Sequence, residues 1–248
     1  MPLLPPGPVY LCDHTSPDIH ENLALDEALL EQAEAEAIAP TLRFWQHPSL
    51  AVVLGASCRL RHDVLIPACQ ADSIPIARRS SGGGTVLIGP GALCVAVILP
   101  ISAHPSLSSV PSAQRHVLQA AADALSPLVS PLQLLGHADL TLHNRKIAGS
   151  AQRRLRSHLL VHFTLLCTFP IDAIARYLSI PARQPAYRAG RSHAEFLANL
   201  NIPPQTISHH LLAYWTSEHT LIPIPPPQSR IDRILADKMH CAGWIDRF

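Results

Sequence analysis

The sequence predicts an α+β fold, in which helices pack on mixed, mainly antiparallel sheets. Apolar runs of strand length recur along the chain, several of them joined by hairpin signals, and amphipathic helical segments lie between them. Hydrophobic residues make up 48% of the 248 residues. This composition supports a substantial core and argues against disorder.

The first third of the chain predicts one long helix followed by strands. Ser16-Pro17 is typical of a helix start, and residues 21–37 carry apolar side chains at helical spacing. Residues 41–45 and 50–55 are predicted strands joined by a turn at His47-Pro48. A short helix at residues 60–70, a strand at residues 74–79 and a strand at residues 85–87 follow.

The rest of the chain alternates strands and helices in the same way. The run Leu93–Leu99 is almost entirely apolar, which predicts a strand covered on both faces. His143-Asn144 predicts the turn of a hairpin. The remaining segments are a linker at 105–111, helices at 113–128, 171–178, 205–215 and 229–240, strands at 140–149 and 158–166, and a loop at 181–192. We divide the chain into a main domain, residues 1–204, and a short helical C-terminal extension packed on it, residues 205–248.

Charge and cysteine patterns exclude several classes of protein. The formal net charge is +1, from 19 basic and 18 acidic residues, so we expect no nucleic-acid or membrane-surface binding. No apolar run approaches the ~20 residues of a membrane span, and the first residues lack a signal-peptide pattern. The 6 cysteines form no C-x-x-C pair, which argues against a zinc site or a disulfide scaffold. We expect a soluble, cytoplasmic protein.

A basic pair and three glycines form the first candidate motif. Arg78 and Arg79 precede Ser80-Ser81 and then Gly82-Gly83-Gly84, and an apolar strand follows. Consecutive glycines let backbone N–H groups converge on an anion, and arginine binds phosphate or carboxylate in bidentate fashion. The motif therefore predicts an anion-binding loop, with a flexible hairpin turn as the alternative.

The second candidate motif surrounds Lys146. A lone lysine is usually a solvated surface charge. Lys146, however, lies within a predicted strand and is followed by the small residues Ala148-Gly149-Ser150, which permit a ligand to approach closely. Asp139 precedes this strand, and His162 lies on the next one.

Together the two motifs resemble the lipoate–protein ligase, octanoyl transferase and biotin ligase superfamily. The similar stretches are residues 22–27, 78–87 and 139–152, and the resemblance spans about residues 10–200. It points to the lipoyl branch, because the Gly-Arg-Gly-Arg signature of the biotin branch does not occur here. The resemblance implies a catalytic domain like those of class II aminoacyl-tRNA synthetases and biotin ligases.

The resemblance also implies a reaction and a set of site residues. In lipoate ligases, lipoate attacks the α-phosphorus of ATP to give lipoyl-AMP, and a lysine of an acceptor domain then displaces AMP. Lys146 corresponds to the family's catalytic lysine, and Asp139 is a candidate ligand for Mg²⁺. The implied binding residues are Arg78, Arg79, Ser81, Gly82, Gly83, Gly84, Thr85, Val86, Leu87, Asp139, Ala148, Gly149, Ser150 and His162.

The implied partner is a lipoyl acceptor domain, of the kind found in glycine cleavage H proteins or dehydrogenase E2 proteins. A separate accessory subunit is a further expectation, because residues 205–248 are short for the accessory domain of some family ligases. The loop around Tyr187 is predicted to be either a plain surface loop or a docking element for the acceptor. The polar residues Asn22 and Asp26 on the first helix are predicted to hydrogen-bond loop backbone.

Three positions depart from the family pattern and keep other functions open. Ile88 stands where His is frequent, Ala138 where Asn is usual, and Phe163 where Gly is common. The Ala138 departure affects the handling of metal and nucleotide. One alternative is an ATP-independent octanoyl or lipoyl transferase that uses a cysteine thioester. Another is a non-catalytic member that binds lipoyl-AMP or a lipoyl domain.

Overall fold

The computed structural model describes residues 3–247 as two sheets with helices packed on their faces. The strands are β1 (Val9–Leu11), β2 (Thr41–Trp45), β3 (Ala51–Leu54), β4 (Ile76–Arg78), β5 (Val86–Ile88), β6 (Ala92–Pro100), β7 (Leu132–Leu135), β8 (Asp139–Leu142), β9 (Arg145–Arg154), β10 (His158–Leu166) and β11 (Leu221–Pro223). The helices are α1 (Ile19–Glu36), α2 (Leu60–Asp63), α3 (Ile66–Ala71), α4 (Val110–Leu125), α5 (Ile174–Tyr177), α6 (His193–Phe196), α7 (Pro204–Thr216), α8 (Gln228–Ile234) and α9 (Ala242–Ile245), with a π-helical turn at Leu235–Met239.

The large sheet has eight strands in the order β11-β1-β2-β6-β10-β9-β8-β7. β1 runs parallel to both β11 and β2, and the other pairs are antiparallel. The small sheet has the order β4-β3-β5. β6 and β10 are nine residues each and lie side by side at the centre of the large sheet. Both carry apolar side chains on two faces, as expected for strands covered on each side.

Two hydrophobic cores lie on opposite faces of the large sheet. On one face, α4 and α7 pack on side chains such as Val97 and Phe163. On the other face, α1 and α8 pack together with part of the small sheet, against Ala96 and Leu160. A third core lies between the small sheet and the short helices α2, α3 and α5. The central strands are therefore buried between two helical layers.

The predicted fold class is confirmed, with differences in individual elements. The predicted helix at residues 60–70 is two separate turns, α2 and α3, and α4 begins three residues before its predicted start. β2 and β3 belong to different sheets, so the His47-Pro48 turn crosses between sheets. β1, β7 and β11, of three or four residues each, were not predicted.

The C-terminal segment contacts the main body through both strand and helix. β11 extends the large sheet by pairing with β1, and α8 packs along α1. The division at residue 204 remains a proposal. Within residues 3–247, no helix combines the length and the apolar character needed to cross a membrane.

Candidate functional site

The candidate site lies on the face of the large sheet that α1 covers, and its floor is built from small residues. Strand pairing aligns two neighbouring rows of side chains on this face. One row is Arg43, Ala96, His162 and Ala151, and the next is Trp45, Cys94, Thr164, Gly149 and Asp139. We call the five residues Ala96, Cys94, Thr164, Gly149 and Ala151 the small-residue floor. Their short side chains leave room above the sheet between charged groups at either end.

A buried arginine joins the floor to α1. Arg43 is completely buried, and its Nη1 lies 2.5 Å from Asp26 Oδ1. It also donates to the backbone oxygen of Asn22 at 2.9 Å, to Asn22 Oδ1 at 2.6 Å and to the backbone oxygen of His14 at 3.1 Å. Burial alone would raise the pKa of Asp26, but the Arg43 guanidinium and then His162 hold that pKa below its usual range. Asp26 is therefore a carboxylate at neutral pH.

His162 extends this network to the glycine loop. Its Nδ1 lies 3.5 Å from Asp26 Oδ2, and its Nε2 lies 2.6 Å from Ser81 Oγ. The order Asp26–His162–Ser81 is that of a hydrolase triad. Ser81 is only 1% exposed, however, and its hydroxyl also accepts from Arg79 Nε at 3.0 Å. The chain of contacts therefore fixes the loop on the sheet rather than presenting a nucleophile.

The two arginines of the first motif bind the protein's own backbone. Arg79 donates to the carbonyls of Gly82 at 2.6 Å and Gly84 at 2.9 Å, and burial lowers its pKa to about 10. Arg78 donates to the carbonyls of Gly55 at 2.8 Å and Ile245 at 2.7 Å. The sequence suggested that both guanidiniums bind ligand. In the structure Arg79 holds carbonyls of the glycine loop, whereas Arg78 holds carbonyls of other segments, and direct contact of either with a ligand stays a prediction.

The glycines allow the loop to lie close to β9. Gly83 has φ +82°, and a Cβ built on it would lie 2.9 Å from Arg79 Nη2 and 3.5 Å from Ala151 Cβ. A Cβ on Gly82 or Gly84 would meet nothing within 4 Å. Gly83 and Gly84 are exposed, so their backbone is accessible to a ligand.

The residues after the glycines lie progressively deeper. Thr85 Oγ1 donates to Asp63 Oδ2 at 2.7 Å. Val86 is partly buried, and Leu87 is 3% exposed in the core behind the small sheet. Ile88, where the family often has His, is a 2% exposed core residue.

A β-bulge places Lys146 above the floor. Lys146 pairs with Thr141 and Gly149 pairs with Asp139, so Ile147 is an extra residue on β9. Because cross-strand partners share a face and Asp139 and Thr141 are two apart, Lys146 and Gly149 project to the same side. Lys146 Nζ lies 2.6 Å from Asp139 Oδ1, and a Cβ on Gly149 would lie 2.6 Å from the same Nζ.

Lys146 and the glycine loop therefore meet over one floor. Gly149 lies under the amine, Ala151 lies under Gly83, and these two floor residues are separated by about 7 Å along β9. The side chains of Ala148 and Ser150, two of the predicted binding residues, point to the opposite face, and contact of these residues with a ligand stays a prediction. Ala148 is buried there, and Ser150 donates its N–H and its hydroxyl to the carbonyl of Ala138.

Tyr187 is a neighbour of the site that the sequence did not identify as such. Its hydroxyl donates to Asp139 Oδ2 at 2.7 Å, and burial together with the Asp139 charge raises the pKa of Tyr187. Asp139 thus bridges Lys146 and the loop at residues 181–192. A tyrosine in a Pro- and Arg-rich loop gives no periodic signal, so sequence reasoning had no means to pair it with Asp139.

The acyl tunnel expected from the apolar strands stays a prediction. A cavity of about 410 Å³ lies between α4 and β7, and one of about 230 Å³ lies between the end of β2 and α7. Neither is lined by Lys146 or by the glycine loop.

Sequence comparison identifies relatives of two kinds. The model of the family described as "Lipoyl protein ligase A/B catalytic domain" matches residues 18–213. The "Probable lipoate-protein ligase A" of Mycoplasma genitalium is 28% identical over 179 residues, which is 72% of this chain and 52% of the relative. The "Octanoyltransferase LipM" of Carboxydothermus hydrogenoformans is 29% identical over 201 residues, 71% of either chain. The chain spans about half the length of the Mycoplasma relative.

Solved structures show the same fold at low sequence identity. A bi-partite lipoate protein ligase from Thermoplasma acidophilum, studied with its E2 lipoyl domain, superposes with a TM-score of 0.80 at 20% identity. The superposition covers 97% of this chain and 96% of that one. A lipoate-protein ligase A crystallised with ATP also gives 0.80 at 20% identity, covering 97% and 98%.

We expect Asp26→Asn to lower the free energy of unfolding at pH 7 by about 3 kcal/mol, because Arg43 would lose its buried counter-charge. The folded pKa of Asp26 is depressed. The carboxylate's stabilisation is therefore present above the unfolded pKa of about 3.9 and is lost as pH falls through the folded value. Urea unfolding should thus show that the difference in unfolding free energy between wild type and Asp26→Asn becomes smaller below about pH 4.

The exposed Asp13 provides the matched control, and Asp13→Asn should change the unfolding free energy by less than about 0.5 kcal/mol. A difference between Asp26→Asn and wild type that stays constant from neutral to acidic pH would contradict the role given to the Asp26 charge.

Proposed function

The chain belongs to the lipoyl protein ligase A/B catalytic-domain family, and on that premise we propose that it is an ATP-dependent lipoate–protein ligase. One observation carries the proposal. A single ammonium, that of Lys146, and an exposed glycine loop face each other over the small-residue floor. Such a site offers a cation and backbone donors to two anions, a carboxylate and a phosphate, which must be held together for adenylation.

In the first step a lipoate carboxylate oxygen attacks the α-phosphorus of ATP, and pyrophosphate leaves. Negative charge collects on the phosphoryl oxygens, so positioning and electrostatic stabilisation supply the catalysis. The Lys146 ammonium leaves its ion pair with Asp139 and contacts the α-phosphate and the acyl carbonyl oxygen instead. Arg79 keeps the carbonyls of Gly82 and Gly84 in place, so the loop does not have to reorganise around the nucleotide.

In the second step the amine of an acceptor lysine attacks the acyl carbonyl carbon, and AMP leaves. The carbonyl oxygen gains negative charge, which the Lys146 ammonium stabilises at the same position. A lipoyl acceptor domain is the proposed partner, and a solved structural neighbour was studied with an E2 lipoyl domain. A separate accessory subunit is part of the proposal, because one structural neighbour is a bi-partite lipoate protein ligase.

Asp139 is the residue that fits a nucleotide-associated Mg²⁺. Its carboxylate is the kind of oxygen ligand that Mg²⁺ prefers, and the ion would offset charge on the phosphates. The neighbouring Ala138 has no side-chain oxygen, and its carbonyl accepts from Ser150. Metal binding at this site therefore depends on Asp139. A cytoplasmic location remains an expectation from the sequence.

ATP-independent octanoyl or lipoyl transfer is the second candidate, because octanoyltransferases are among the relatives. That reaction needs a cysteine thiolate to carry the acyl group. Cys94 lies in the floor, but burial raises its pKa to about 12, so its thiol stays protonated at neutral pH. Cys58, in contrast, is half-buried and its Sγ donates to the carbonyl of Gly83 at 3.3 Å, so it is the cysteine accessible for transfer. Ligation is the proposal we favour, because Lys146 and the glycine loop offer a cation and backbone donors to two anions. Non-catalytic binding of lipoyl-AMP or a lipoyl domain, suggested by Ala138, is an outcome of the same test.

The test incubates the protein with lipoate, ATP, Mg²⁺ and a lipoyl acceptor domain, and follows acceptor mass and AMP release. We expect Lys146→Ala to lower turnover roughly a hundredfold or more, because it removes the charge that both steps use. Lys238→Ala, which removes the chain's other lysine, should retain turnover. A thermal melt of each variant separates lost activity from lost fold.

Three other outcomes are informative. Acceptor modification that needs an octanoyl carrier protein and no ATP would favour transfer. Tight binding of lipoyl-AMP with no turnover, with and without added accessory chain, would favour the binding role. Wild-type turnover by Lys146→Ala would refute the assignment of the catalytic lysine.

Gly149→Ala tests whether the position of the amine matters. The new Cβ would lie 2.6 Å from Lys146 Nζ and must displace it, whereas the nearest Asp139 oxygen is 3.5 Å away. Since the displaced group is the end of a flexible side chain, we expect the melting temperature to change little and turnover to fall about tenfold or more. Gly243→Ala, whose Cβ would meet nothing within 4 Å, is the control. Undiminished turnover would show that the amine does not need this position.

A further inference from the structure

Two histidines and an aspartate converge at the start of α1, and one of them, His240, comes from the far end of the sequence. Asp18 precedes α1, His20 lies in its first turn, and His240 follows the π-helical turn near the end of the chain. One donor atom from each lies within 4.8 Å of the other two. His20 Nδ1 is 3.2 Å from Asp18 Oδ1, and His240 Nε2 is 3.9 Å from Asp18 Oδ2.

We propose that Asp18, His20 and His240 bind one divalent transition-metal ion of the zinc class. Imidazole nitrogen and carboxylate oxygen are the ligands that Zn²⁺ takes at about 2.0–2.2 Å, which puts tetrahedral ligands about 3.4 Å apart. One donor atom from each residue lies within 4.8 Å of the other two, and a closing movement of His240 brings them to that spacing. The rings of His20 and His240 already touch edge to face, with centroids 5.6 Å apart.

The site can adjust because its side chains are accessible. The side chain of His20 is 18% exposed, that of Asp18 is 44% exposed and that of His240 is 54% exposed. An ion can therefore enter from solvent, and His240 can turn toward it. The fourth position is open to water. The N-terminus of α1 disfavours a cation, and the Asp18 carboxylate opposes that effect directly at the site.

The ion would fasten the C-terminal segment to α1. This segment, residues 228–245, which we call the C-terminal strap, runs antiparallel along α1. Its ion pairs follow in order: Arg230 with Glu36 at 2.9 Å, Arg233 with Glu31, Lys238 with Glu27 at 2.7 Å, and His240 with Asp18 at 3.9 Å. The pair between His240 and Asp18 is the longest of the four. A metal ion bound there would therefore stabilise the part of the strap that has the weakest direct contact with α1.

The end of the strap reaches the strand that leads into the glycine loop. Trp244 Nε1 donates to the carbonyl of Arg78 at 2.9 Å, and the carbonyl of Ile245 accepts from the Arg78 guanidinium at 2.7 Å. A metal bound at His240, four residues before Trp244, therefore restrains a segment that contacts the base of the loop. The inference concerns metal binding and strap order, and it does not depend on the proposed ligase activity.

The experiment uses the full chain without a histidine tag, stripped of metal by chelator. Isothermal titration and thermal unfolding are followed with ZnCl₂, with CoCl₂ and with MgCl₂. We expect one equivalent of Zn²⁺ to bind and to raise the melting temperature, and Mg²⁺ to do neither at this site because it prefers oxygen ligands. Limited proteolysis should show that Zn²⁺ protects the strap from cleavage.

His240→Ala and His20→Ala should each weaken Zn²⁺ binding about tenfold or more and abolish the Zn²⁺-dependent rise in melting temperature. His209→Ala, which removes an exposed histidine outside the cluster, should bind as wild type does. For each variant we compare the melting temperature with and without Zn²⁺. A change in the stability of the metal-free variant therefore does not affect the comparison. Equal Zn²⁺ binding by wild type and His240→Ala, or no binding by wild type, would overturn the proposal.

Discussion

The ion pair between Arg43 and Asp26 is the interaction on which the candidate site depends. It lies beneath α1, fully removed from water, so neither charge is tolerable there without the other. With Arg43 in place, the second oxygen of Asp26 faces His162, and His162 in turn holds Ser81. One buried pair thereby sets the position of α1 on the sheet and of the glycine loop above it.

The small-residue floor leaves the open space between these charged residues in which a ligand can bind. Ala96 separates Arg43 from His162 in the same row, and its short side chain lets Asp26 span the gap between them. At the β8 end of the floor, the bulge at Ile147 turns Lys146 toward this face, and the missing side chain of Gly149 leaves space for the Lys146 amine to reach Asp139. Larger residues at these positions would fill the space in which the loop and the amine approach each other.

The sequence predicted the parts of the site that are formed by contiguous residues. It did not predict the parts that depend on contacts between residues far apart in the chain. Three glycines and a lysine followed by small residues mark the loop and the amine, because each motif is contiguous. The bulge at Ile147 leaves no mark in composition, so the sequence could not show that the Ala148 side chain lies on the face opposite to Lys146. Arg78 resembles a ligand-binding residue by sequence, yet its contacts include Ile245, 167 residues away, which no local pattern reveals.

The charge balance at Lys146 bears on how the site would accept a nucleotide. In the structure its ammonium is already paired with Asp139, which also accepts from Tyr187. If a phosphate binds the Lys146 ammonium, Asp139 loses its ion pair. Its carboxylate then keeps only the hydrogen bond from Tyr187 and requires another positive charge. A nucleotide that arrives with a divalent cation supplies that charge in the same event, whereas a bare anion does not. On the proposed ligase function, the Asp139–Lys146 pair therefore favours a nucleotide that carries a divalent cation over a free carboxylate.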